Sequence, residues 1–418
     1  MTAAGSATGA PQAAEREIKS GPPIYYAAAA GDILGTYRHW RQGVQDPAQI
    51  AVTYSGLFYD LCVALGRRGV ASFPAAGKQA IDEPAMAIRS RKATLRHWGW
   101  RYHLAQIRMG WWLLRDIRRS GATDAIVMDG VTYWFLLAPA VWRGVRIWVS
   151  VHTVLCSELR PPKRLRRLIL RLEGWFLRRH CAGALVVSPR IALQIAEIAG
   201  PDAPAPRVFL PLYLEEDFAS FGAPARGAGP FRVLFSGRVE GDKGVFDLLE
   251  TARLLRASHG EQIVFDVLGE GSALPELQAT VKAEGLESIF ILRGHCTRPE
   301  LLARLNEAHA VIAPTRSSFP EGLNKSVIEG VLARRPVISS AVCPACELVS
   351  DATLEVPPDH VPGYRNAILK LYEDTAFYQS KVAAAGQLRK NFFDRDRSWF
   401  AVAKALIEER DPKLCSRG

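Results

Sequence analysis

The sequence predicts an α/β protein made of two doubly wound domains that face each other across a cleft. Two observations predict this fold class. From Ile24 onward, apolar runs of strand length alternate with longer segments of helical period, and this alternation stops once, at residues 219–230, before it starts again. The length of 418 residues agrees with two or three domains of ordinary size. Because ligands of open α/β sheets bind at the carboxyl ends of the strands, we expect the chemistry of this protein in the cleft.

Residues 24–218 are predicted to form the first domain. Each apolar run there is followed by a turn or loop and then by an amphipathic stretch, which is typical of a parallel sheet with helices on both faces. The candidate strands are Ile24–Ala30, Val70–Phe73, Ala125–Met128, Arg146–Val151 and Ala184–Val187. The preceding residues 1–23 are rich in Ala, Gly, Ser and Pro and have no apolar core behind a basic cap, so we expect a disordered tail and no signal peptide there.

Residues 219–230 are predicted to be a linker, because Gly, Pro and Ala crowd together there without periodicity. The alternation restarts in residues 231–385, the second domain, with a helix expected from Val245 to Ser258. Its candidate strands are Arg232–Ser236, Ile263–Leu268, Ile289–Leu292, Ala310–Ala313 and Pro336–Ser339. Residues 386–418 are predicted to be a helical segment with a last helix around Trp399–Glu409.

Composition excludes several classes of protein. Hydrophobic residues make up 48% and charged residues 23%, which is far from disordered, collagen-like or coiled-coil chains. The longest apolar run, near Val131–Trp142, is shorter than the roughly 20 residues needed to cross a bilayer, so we expect a soluble or peripheral protein. The seven cysteines show no repeated spacing and favour a reducing compartment. The Cys343-Pro-Ala-Cys346 pair has no second pair beside it, and we expect no metal there.

The net charge of +11 favours an anionic partner, but charge alone does not choose among a nucleotide, a nucleic acid and a lipid surface. The first local signal is the segment 236–244, between a predicted strand and a predicted helix. Arg238 and Lys243 flank a glycine-containing turn there and can converge on a phosphate. A solvated basic turn is an equally good interpretation of this segment alone. No GxxxxGK[ST] or GxGxxG pattern is found, which disfavours nucleotide triphosphate hydrolysis and dinucleotide redox chemistry.

The second local signal is the segment 314–330, after the strand at 310–313. A helix is expected to begin near Leu323, and its free N–H groups then point into the cleft as a diphosphate site. Glu321 precedes that helix and Glu329 lies two turns along it, so that one carboxylate can reach a sugar and the other a ribose. A carboxylate favoured by the helix dipole is the alternative for Glu321. An unpaired Glu329 among apolar neighbours would be costly, which favours a hydroxyl partner for it.

These segments resemble the donor-site signatures of glycosyltransferase family 4, which are retaining enzymes of the GT-B fold, with two Rossmann-like domains facing a cleft. The likeness covers Gly237–Gly244 and the Glu-x7-Glu pair that ends in the run Glu329–Ile338. It is specific over about residues 231–350 and weaker in the first half, where Val149–His152 resembles the strand ending in the family's active-site histidine. The family usually has a Gly-Gly pair near the start, which this chain lacks, so the acceptor side stays open.

The resemblance implies transfer of a hexose from a UDP- or GDP-sugar to an acceptor hydroxyl, with the anomeric configuration retained. Arg238 and Lys243 would neutralise the leaving diphosphate, Glu321 would hold sugar hydroxyls, and His152 would reach across the cleft to the sugar. The other implied donor-binding residues are Gly237, Arg293, Gly294, Gly322, Leu323, Asn324 and Glu329. Two fixed cations and a helix end can replace a divalent metal, so we expect no metal or other cofactor. The resemblance also implies that the last helix packs back toward the first domain, on the acceptor side.

The first domain is unusually basic. Between Arg160 and His180 there are eight Lys and Arg residues and one acidic residue, Glu173, and the segment 89–119 adds tryptophans among further cations. This pattern suits an anionic membrane surface, and a helix with a buried apolar stripe and solvated arginines explains it equally well. No zinc finger, helix-turn-helix or RNP signature supports a nucleic-acid partner, and we expect none.

The sequence therefore predicts a cytoplasmic glycosyltransferase, peripheral on the inner membrane face, that acts on a glycan or lipid-linked acceptor. Two alternatives stay open. One is another GT-B enzyme, such as a sugar-nucleotide epimerase. The other is a non-enzymatic basic protein that binds membrane or nucleic acid.

Overall fold

The computed structural model describes residues 21–411, except residues 30, 76, 93–98, 158, 160, 225, 226 and 228. Most of the predicted tail, residues 1–20, lies outside this part of the chain, as do Ala30 of the first predicted strand, Arg160 of the basic segment and residues 412–418 of the last helical segment. Gly21, Pro22 and Pro23, which we assigned to the tail, instead begin the first strand. That strand ends at Ala27, three residues before its predicted end.

The first domain contains a sheet of eight strands. In chain order they are β1 (Gly21–Ala27), β2 (Arg67–Ala75), β3 (Ala80–Asp82), β4 (Met86–Lys92), β5 (Asp124–Met128), β6 (Arg146–Val151), β7 (Cys181–Val186) and β8 (Arg207–Val208). Their order in space is β3-β4-β2-β1-β5-β6-β7-β8. Only the β3–β4 pair is antiparallel among these described strands. The strand order reverses between β1 and β5, which is the point where doubly wound sheets bind ligands.

Among the described residues of this domain, the helices are α1 (Ile33–Arg41), α2 (Tyr54–Ala64), α3 (Trp100–Ser120), α4 (Ala138–Val141), α5 (Arg164–Arg179) and α6 (Pro189–Ala199). Right-handed crossovers place α1 and α2 on one face of the sheet and α3 to α6 on the other. A one-turn helix, Trp134–Leu137, precedes α4 and packs against both α3 and α5.

The second domain contains six parallel strands: β9 (Phe231–Ser236), β10 (Ile263–Leu268), β11 (Phe290–Gly294), β12 (Ala310–Ala313), β13 (Val337–Ser340) and β14 (Thr353–Val356). Their order is β11-β10-β9-β12-β13-β14, so this sheet reverses between β9 and β12. The helices are α7 (Val245–His259), α8 (Leu274–Ala283), α9 (Arg298–Glu307), α10 (Lys325–Leu332), α11 (Ala345–Leu348), α12 (Val361–Glu373) and α13 (Thr375–Leu388). A last helix, α14 (Trp399–Glu409), lies on α2 and β7 of the first domain.

The predicted linker is partly ordered by the second domain. Phe221 is buried and packs on Phe218 with 5.6 Å between ring centroids, and Arg335 donates to the Gly222 carbonyl at 2.8 Å. The domains also join near the chain end, where the Leu210 N–H donates to the Arg397 carbonyl at 2.8 Å. Residues on both sides of the boundary therefore share one apolar cluster, which fixes the orientation of the two sheets.

Strand β4 was not predicted, because its apolar start is followed by alternating Arg, Ser and Lys. In the structure Arg91 is buried and donates to the backbone carbonyls of Ser72 and Ala28, and burial lowers the pKa of its guanidinium to about 10. Arg89 bridges Asp116 at 3.5 Å. We had counted this segment in the basic surface of the first domain. Arg91 instead lies in the interior of the domain, and the partly exposed Arg89 is paired with the buried Asp116.

Candidate active site

The turn after β9 is held tightly by the ends of two neighbouring strands. The Gly237 N–H donates to the Leu268 carbonyl at 3.0 Å. Gly244 has a φ of +77°, and a Cβ on it would lie 2.0 Å from the Pro314 carbonyl oxygen, so only glycine lets the turn approach the end of β12. A single helical turn, Gly241–Lys243, lies between them. These contacts fix the backbone that carries Lys243.

Lys243 is paired with Glu321 across the mouth of the second sheet. Its Nζ lies 2.9 Å from Oε1 and 2.8 Å from Oε2 of that carboxylate, and the exposed fractions of the two side chains are 13% and 7%. The same ammonium lies 4.1 Å from the centroid of the Phe319 ring, and the Arg238 guanidinium lies 5.4 Å from it. The structure thus brings three predicted site residues, Arg238, Lys243 and Glu321, into one cluster around an aromatic ring.

Glu321 has two further hydrogen-bond partners. The Thr315 hydroxyl donates to its Oε2 at 2.7 Å, and the Asn324 amide donates to the same oxygen at 3.4 Å. A buried carboxylate needs such partners, since its desolvation is otherwise uncompensated. The loop from Thr315 to Asn324 is therefore organised around this one carboxylate.

The helix that follows begins two residues later than predicted. Asn324 is its N-cap and accepts from the Ser326 N–H at 3.1 Å, so α10 starts at Lys325 and not near Leu323. The Ser326 hydroxyl is hydrogen-bonded to the Ser236 carbonyl at the end of β9. Gly322 and Leu323, whose amides we expected at a helix end, lie in the preceding loop. The amides of the first helical turn belong to Lys325 and its successors.

Glu329 is buried one turn along α10. Burial raises the pKa of its carboxyl to about 7, and the nearby Lys325 ammonium opposes that rise. Tyr213 of the first domain is also fully buried, and burial followed by the Glu329 charge raises the pKa of its phenol. The Tyr213 hydroxyl has no hydrogen-bond partner among the residues that the structure describes. Glu329 therefore lies at the junction of the two domains with a weakly compensated charge.

His152 follows β6 in the first domain. Its ring lies between Tyr54 and Phe209, with centroid distances of 4.5 and 5.4 Å. Burial lowers the pKa of the imidazole to about 4, so the ring is neutral at pH 7. Nε2 lies 2.9 Å from the Ser150 hydroxyl, which accepts from the Trp399 indole N–H at 2.9 Å. That hydroxyl donates to Nε2 in the tautomer that carries the ring proton on Nδ1 and accepts from Nε2 in the other tautomer.

The His152 loop touches the Glu321 loop directly. Thr153 and Gly322 form an antiparallel backbone bridge, and a Cβ on Gly322 would lie 2.6 Å from the His152 carbonyl oxygen. Asp129, at the end of β5, accepts from the N–H groups of His152 and Thr153 at 3.1 and 3.0 Å. The histidine predicted from the first half thus meets the donor-side loop predicted from the second half, with its ring held inside the first domain.

Arg293 does not join the cluster. At the end of β11 its guanidinium contacts the Asp266 carboxylate at 2.7 and 2.9 Å, and Asp266 also pairs with Arg232 at 3.0 Å. Gly294 has a φ of +67°, and its carbonyl accepts from the Gly269 N–H at 2.8 Å. Arg293 is therefore held by Asp266 of β10, and Gly294 by Gly269.

The sequence reasoning missed four residues that shape this site: Phe319, Thr315, Asp129 and Ser150. Asp129 could have been found, because it is a carboxylate that directly follows a buried strand. Ser150 lies two residues before His152 on the same face of β6, which is also a usable signal. Phe319 carries no local signal, because its contact with Lys243 depends on a turn about 75 residues earlier in the chain. Thr315 is bonded to Glu321, six residues later, but a lone threonine in a loop has no pattern that marks this contact.

Two cavities lie near the residues of the candidate site. One, of about 120 Å³, is lined by Glu321, Phe319 and Arg190, and the other, of about 270 Å³, by Tyr54 and Lys325 among others. Arg190 joins the domains beside the first cavity through Glu347, at 2.6 Å. Over the described ranges, no group of three or more His, Cys, Asp or Glu residues is placed to hold a metal ion. Cys343 and Cys346 are both buried in the second domain.

Comparison with known proteins shows which families and relatives this chain is similar to. Residues 230–374 match the family model described as glycosyl transferases group 1. The 2-deoxystreptamine glucosyltransferase of Streptomyces kanamyceticus is 28% identical over 281 residues, which are 62% of this chain and 71% of that protein. The alpha-D-kanosaminyltransferase of the same organism is 26% identical over 301 residues, 66% and 76% of the two chains.

Solved structures show the same architecture over nearly the whole chain. Anabaena HepE in complex with UDP has a TM-score of 0.62 at 14% identity, covering 94% of this chain and 100% of that one. Sucrose-phosphate synthase from Thermosynechococcus elongatus has a TM-score of 0.66 at 16% identity, covering 95% and 100%. The predicted fold class is confirmed: this is the GT-B fold. The matches together support a glycosyltransferase family for this chain, with a glycosyl transferase group 1 domain at residues 230–374.

Proposed function

We propose that this protein transfers a hexose from a nucleotide-diphosphate sugar to an acceptor hydroxyl, with retention of the anomeric configuration and without a metal ion. One observation carries the proposal. Lys243, Arg238 and the first turn of α10 lie around the buried Glu321, and the His152 loop contacts that group from the other domain. Retention is supported by the resemblance of the Glu321–Glu329 spacing to that of retaining enzymes.

The cations act on the leaving group. When the bond between the anomeric carbon and the diphosphate breaks, negative charge develops on the phosphate oxygens, and fixed positive groups stabilise it. Lys243 and Arg238 supply two such charges, and the free N–H groups of α10 supply a helix dipole end. This set takes the place of a divalent metal. Because Lys243 is paired with Glu321 at rest, donor binding exchanges part of that ion pair for contacts to phosphate.

The carboxylates act on hydroxyl groups of the donor. Glu321 lies beside Lys243 and accepts hydrogen bonds from sugar hydroxyls once the ammonium turns to the phosphate. Glu329 binds the ribose, and a hydroxyl donor there compensates the burial that raises the pKa of its carboxyl. His152 is neutral, so it contributes an uncharged hydrogen-bonding group on the acceptor side of the sugar.

The donor base is proposed to be uracil or guanine. UDP is supported by the complex of the structurally similar HepE with UDP. The acceptor is proposed to be a lipid-linked or polysaccharide intermediate at the cytoplasmic face of a membrane, which is supported by the excess of basic residues in the first domain. No helix in the described part of the chain is both long and apolar enough to cross a bilayer.

A thermal-shift panel tests the proposal. UDP, GDP and ADP are each added alone and as sugar conjugates, and a ligand at 100 times its Kd raises the unfolding free energy by about 2.7 kcal/mol. We expect UDP or GDP to raise the melting temperature of the parent and to lose this effect in Lys243→Met. Lys282→Met, an exposed lysine on α8, is the matched control and should respond like the parent.

Each alternative gives a different result. Consumption of the sugar nucleotide in the absence of any acceptor, with a changed sugar configuration in the recovered nucleotide, identifies an epimerase. The absence of a shift with every nucleotide identifies a non-enzymatic binding protein. Either result contradicts the proposed transfer.

A further inference from the structure

Two helices of the first domain carry a second apolar stripe that faces away from the protein. On α3 the stripe is Trp100, Leu104, Ile107 and Trp111, and on α5 it is Leu165, Leu168, Leu172 and Trp175. The spacings of three and four residues place each stripe on one side of its helix. The opposite side of each helix holds apolar residues that pack in the domain core, such as Leu113 and Leu177. These eight residues, with Trp142 between the helices, are called here the outer face.

The outer face is exposed, and Trp142 adjoins its α5 stripe. Trp100, Trp111 and Trp142 are 67%, 71% and 68% exposed. Trp142 and Trp175 both lie against His180, with ring centroids 5.9 and 4.5 Å away, and they connect the end of α4 with the end of α5. Scattered exposed apolar residues are normal on a protein surface, but a contiguous group of large ones marks an interaction site.

The charge around this face has one sign. The sequence of α3 contains five arginines and that of α5 contains six. The only acidic residues in the two helices are Asp116 and Glu173, and both are buried. Asp116 accepts from Tyr25 at 2.6 Å, and Glu173 accepts from the Trp134 N–H at 3.0 Å, so neither offsets the surface charge. Two copies of this chain joined through the face would therefore set arginines against arginines.

The face also borders the reaction cleft. A cavity of about 170 Å³ opens between the N-terminal ends of α3 and α5, lined by Tyr102, Arg166 and Glu173. Its lining includes Thr153, which follows His152, and Asp129, which accepts from the N–H groups of both residues. A substrate head group displayed at the outer face therefore has a short, polar route to the cleft.

We propose that the outer face docks on an anionic lipid bilayer and presents this cavity to the head group of a membrane-borne acceptor. Tryptophan and leucine side chains enter the interface between head groups and acyl chains, while the flanking arginines contact anionic head groups. The presentation of an acceptor rests on the proposed function, whereas the docking itself does not. Arg166 donates to the Leu155 carbonyl at 2.6 Å and lines the cavity, so it is not a free surface charge and stays unchanged in the variants below.

The test is sedimentation of the full chain with vesicles of phosphatidylglycerol and phosphatidylcholine, without donor or acceptor. The charge variant is Arg164→Glu, Arg167→Glu and Arg171→Glu, all exposed. Its control, Arg38→Glu, Lys282→Glu and Lys390→Glu, makes the same change in charge on other surfaces. Each basic residue near an anionic surface contributes about a factor of five, so we expect the charge variant to bind at least about a hundredfold more weakly than the parent. The control should bind like the parent.

A second variant separates a bilayer from other anionic partners. Trp111→Ser with Leu168→Ser keeps every charge, so it should lower vesicle binding by about tenfold or more. It should leave adhesion to a single-stranded oligonucleotide unchanged. Equal vesicle binding by parent and charge variant, or no binding by the parent, overturns the proposal. So does a parent dimer in light scattering that this second variant dissociates, because the face then belongs to a second copy of the chain.

These outcomes are independent of the proposed reaction. If the parent binds vesicles but shows no thermal shift with any nucleotide, the docking proposal stands and the proposed glycosyl transfer is contradicted. If UDP or GDP raises the melting temperature of the parent but the parent does not bind vesicles, the donor site stands and the docking proposal is contradicted.

Discussion

The ion pair between Lys243 and Glu321 makes a sharp prediction, because both side chains are almost fully buried. Lys243→Met removes the ammonium and keeps most of the stem. Glu321→Gln removes the carboxylate charge and keeps an oxygen that can accept from Thr315. The two single variants and the double variant form a cycle that isolates the interaction between the two groups.

The expected magnitudes follow from what each change leaves behind. Removing one partner of a buried ion pair costs about 3–5 kcal/mol, since the other charge stays buried without compensation. Lys243→Met should lower the unfolding free energy by about 3 kcal/mol, because the Thr315 hydroxyl still donates to Glu321. Glu321→Gln should cost about 2 kcal/mol, because the Phe319 ring still faces the ammonium. The double variant leaves no buried charge and should cost far less than the sum.

The assay is chemical and thermal unfolding of the four proteins without ligand. A loss of 1 kcal/mol lowers the melting temperature of a domain of this size by about 2–4 °C, so the Lys243→Met variant should melt roughly 6–12 °C lower. A coupling energy of about 2 kcal/mol or more is expected from the cycle. Additive effects, within about 0.5 kcal/mol, would refute the reasoning, because they mean that the two groups are not paired in solution.

Ligand binding separates structural and functional roles of the same pair. Glu321→Gln releases Lys243 from its partner, so the affinity for UDP or GDP should stay equal or rise while turnover falls by about a hundredfold. Lys243→Met should lose both. If Glu321→Gln weakens nucleotide binding as strongly as Lys243→Met does, the exchange of the ammonium from carboxylate to phosphate is wrong.

Three further predictions concern the site and its surroundings. Arg238→Ala should lower turnover by about a hundredfold because it removes one fixed charge that faces the leaving group, whereas Arg256→Ala, on the far end of α7, should leave turnover unchanged; similar rates for both variants would count against the donor site. Activity should survive EDTA in the assay buffer, and a strict need for added magnesium or manganese would contradict the proposed role of the cations. Burial raises the pKa of the Glu173 carboxyl to about 8. The unfolded chain loses that proton near pH 4.5 while the folded protein keeps it, so the stability of the parent falls as pH rises from about 4.5 to 8. The unfolding free energy of Glu173→Gln, measured relative to that of the parent, should therefore rise by a few kcal/mol across that window. Melting curves of both proteins at pH 5 and pH 8 measure this gain, and an unchanged difference between the two pH values would show that the carboxyl is not desolvated.

Local patterns in the sequence determined the architecture. Strands β6, β10 and β12 have the predicted bounds, and α7 begins at the predicted residue. A buried strand or an amphipathic helix can be predicted because its pattern of apolar residues involves only neighbours in the sequence. The chemistry-bearing loops at 236–244 and 314–330 were found for the same reason, since each follows a buried strand. Strands β3, β8 and β14 were missed because they are short and, unlike the fully buried four-residue strand β12, contain exposed residues that break an apolar run.

Tertiary structure decided what the loops do. Lys243 and Glu321 are 78 residues apart, and no local period relates them. The start of α10 depends on which side chain caps it; Asn324 does so, and the helix therefore begins at Lys325, two residues after the predicted start. On α3 and α5, the sequence contains two apolar stripes on each helix, and only packing against the sheet determines which of them is buried. The sequence fixes the residue types along the chain, but a charge pair, a cap or an exposed stripe is defined by which surfaces meet when the chain folds.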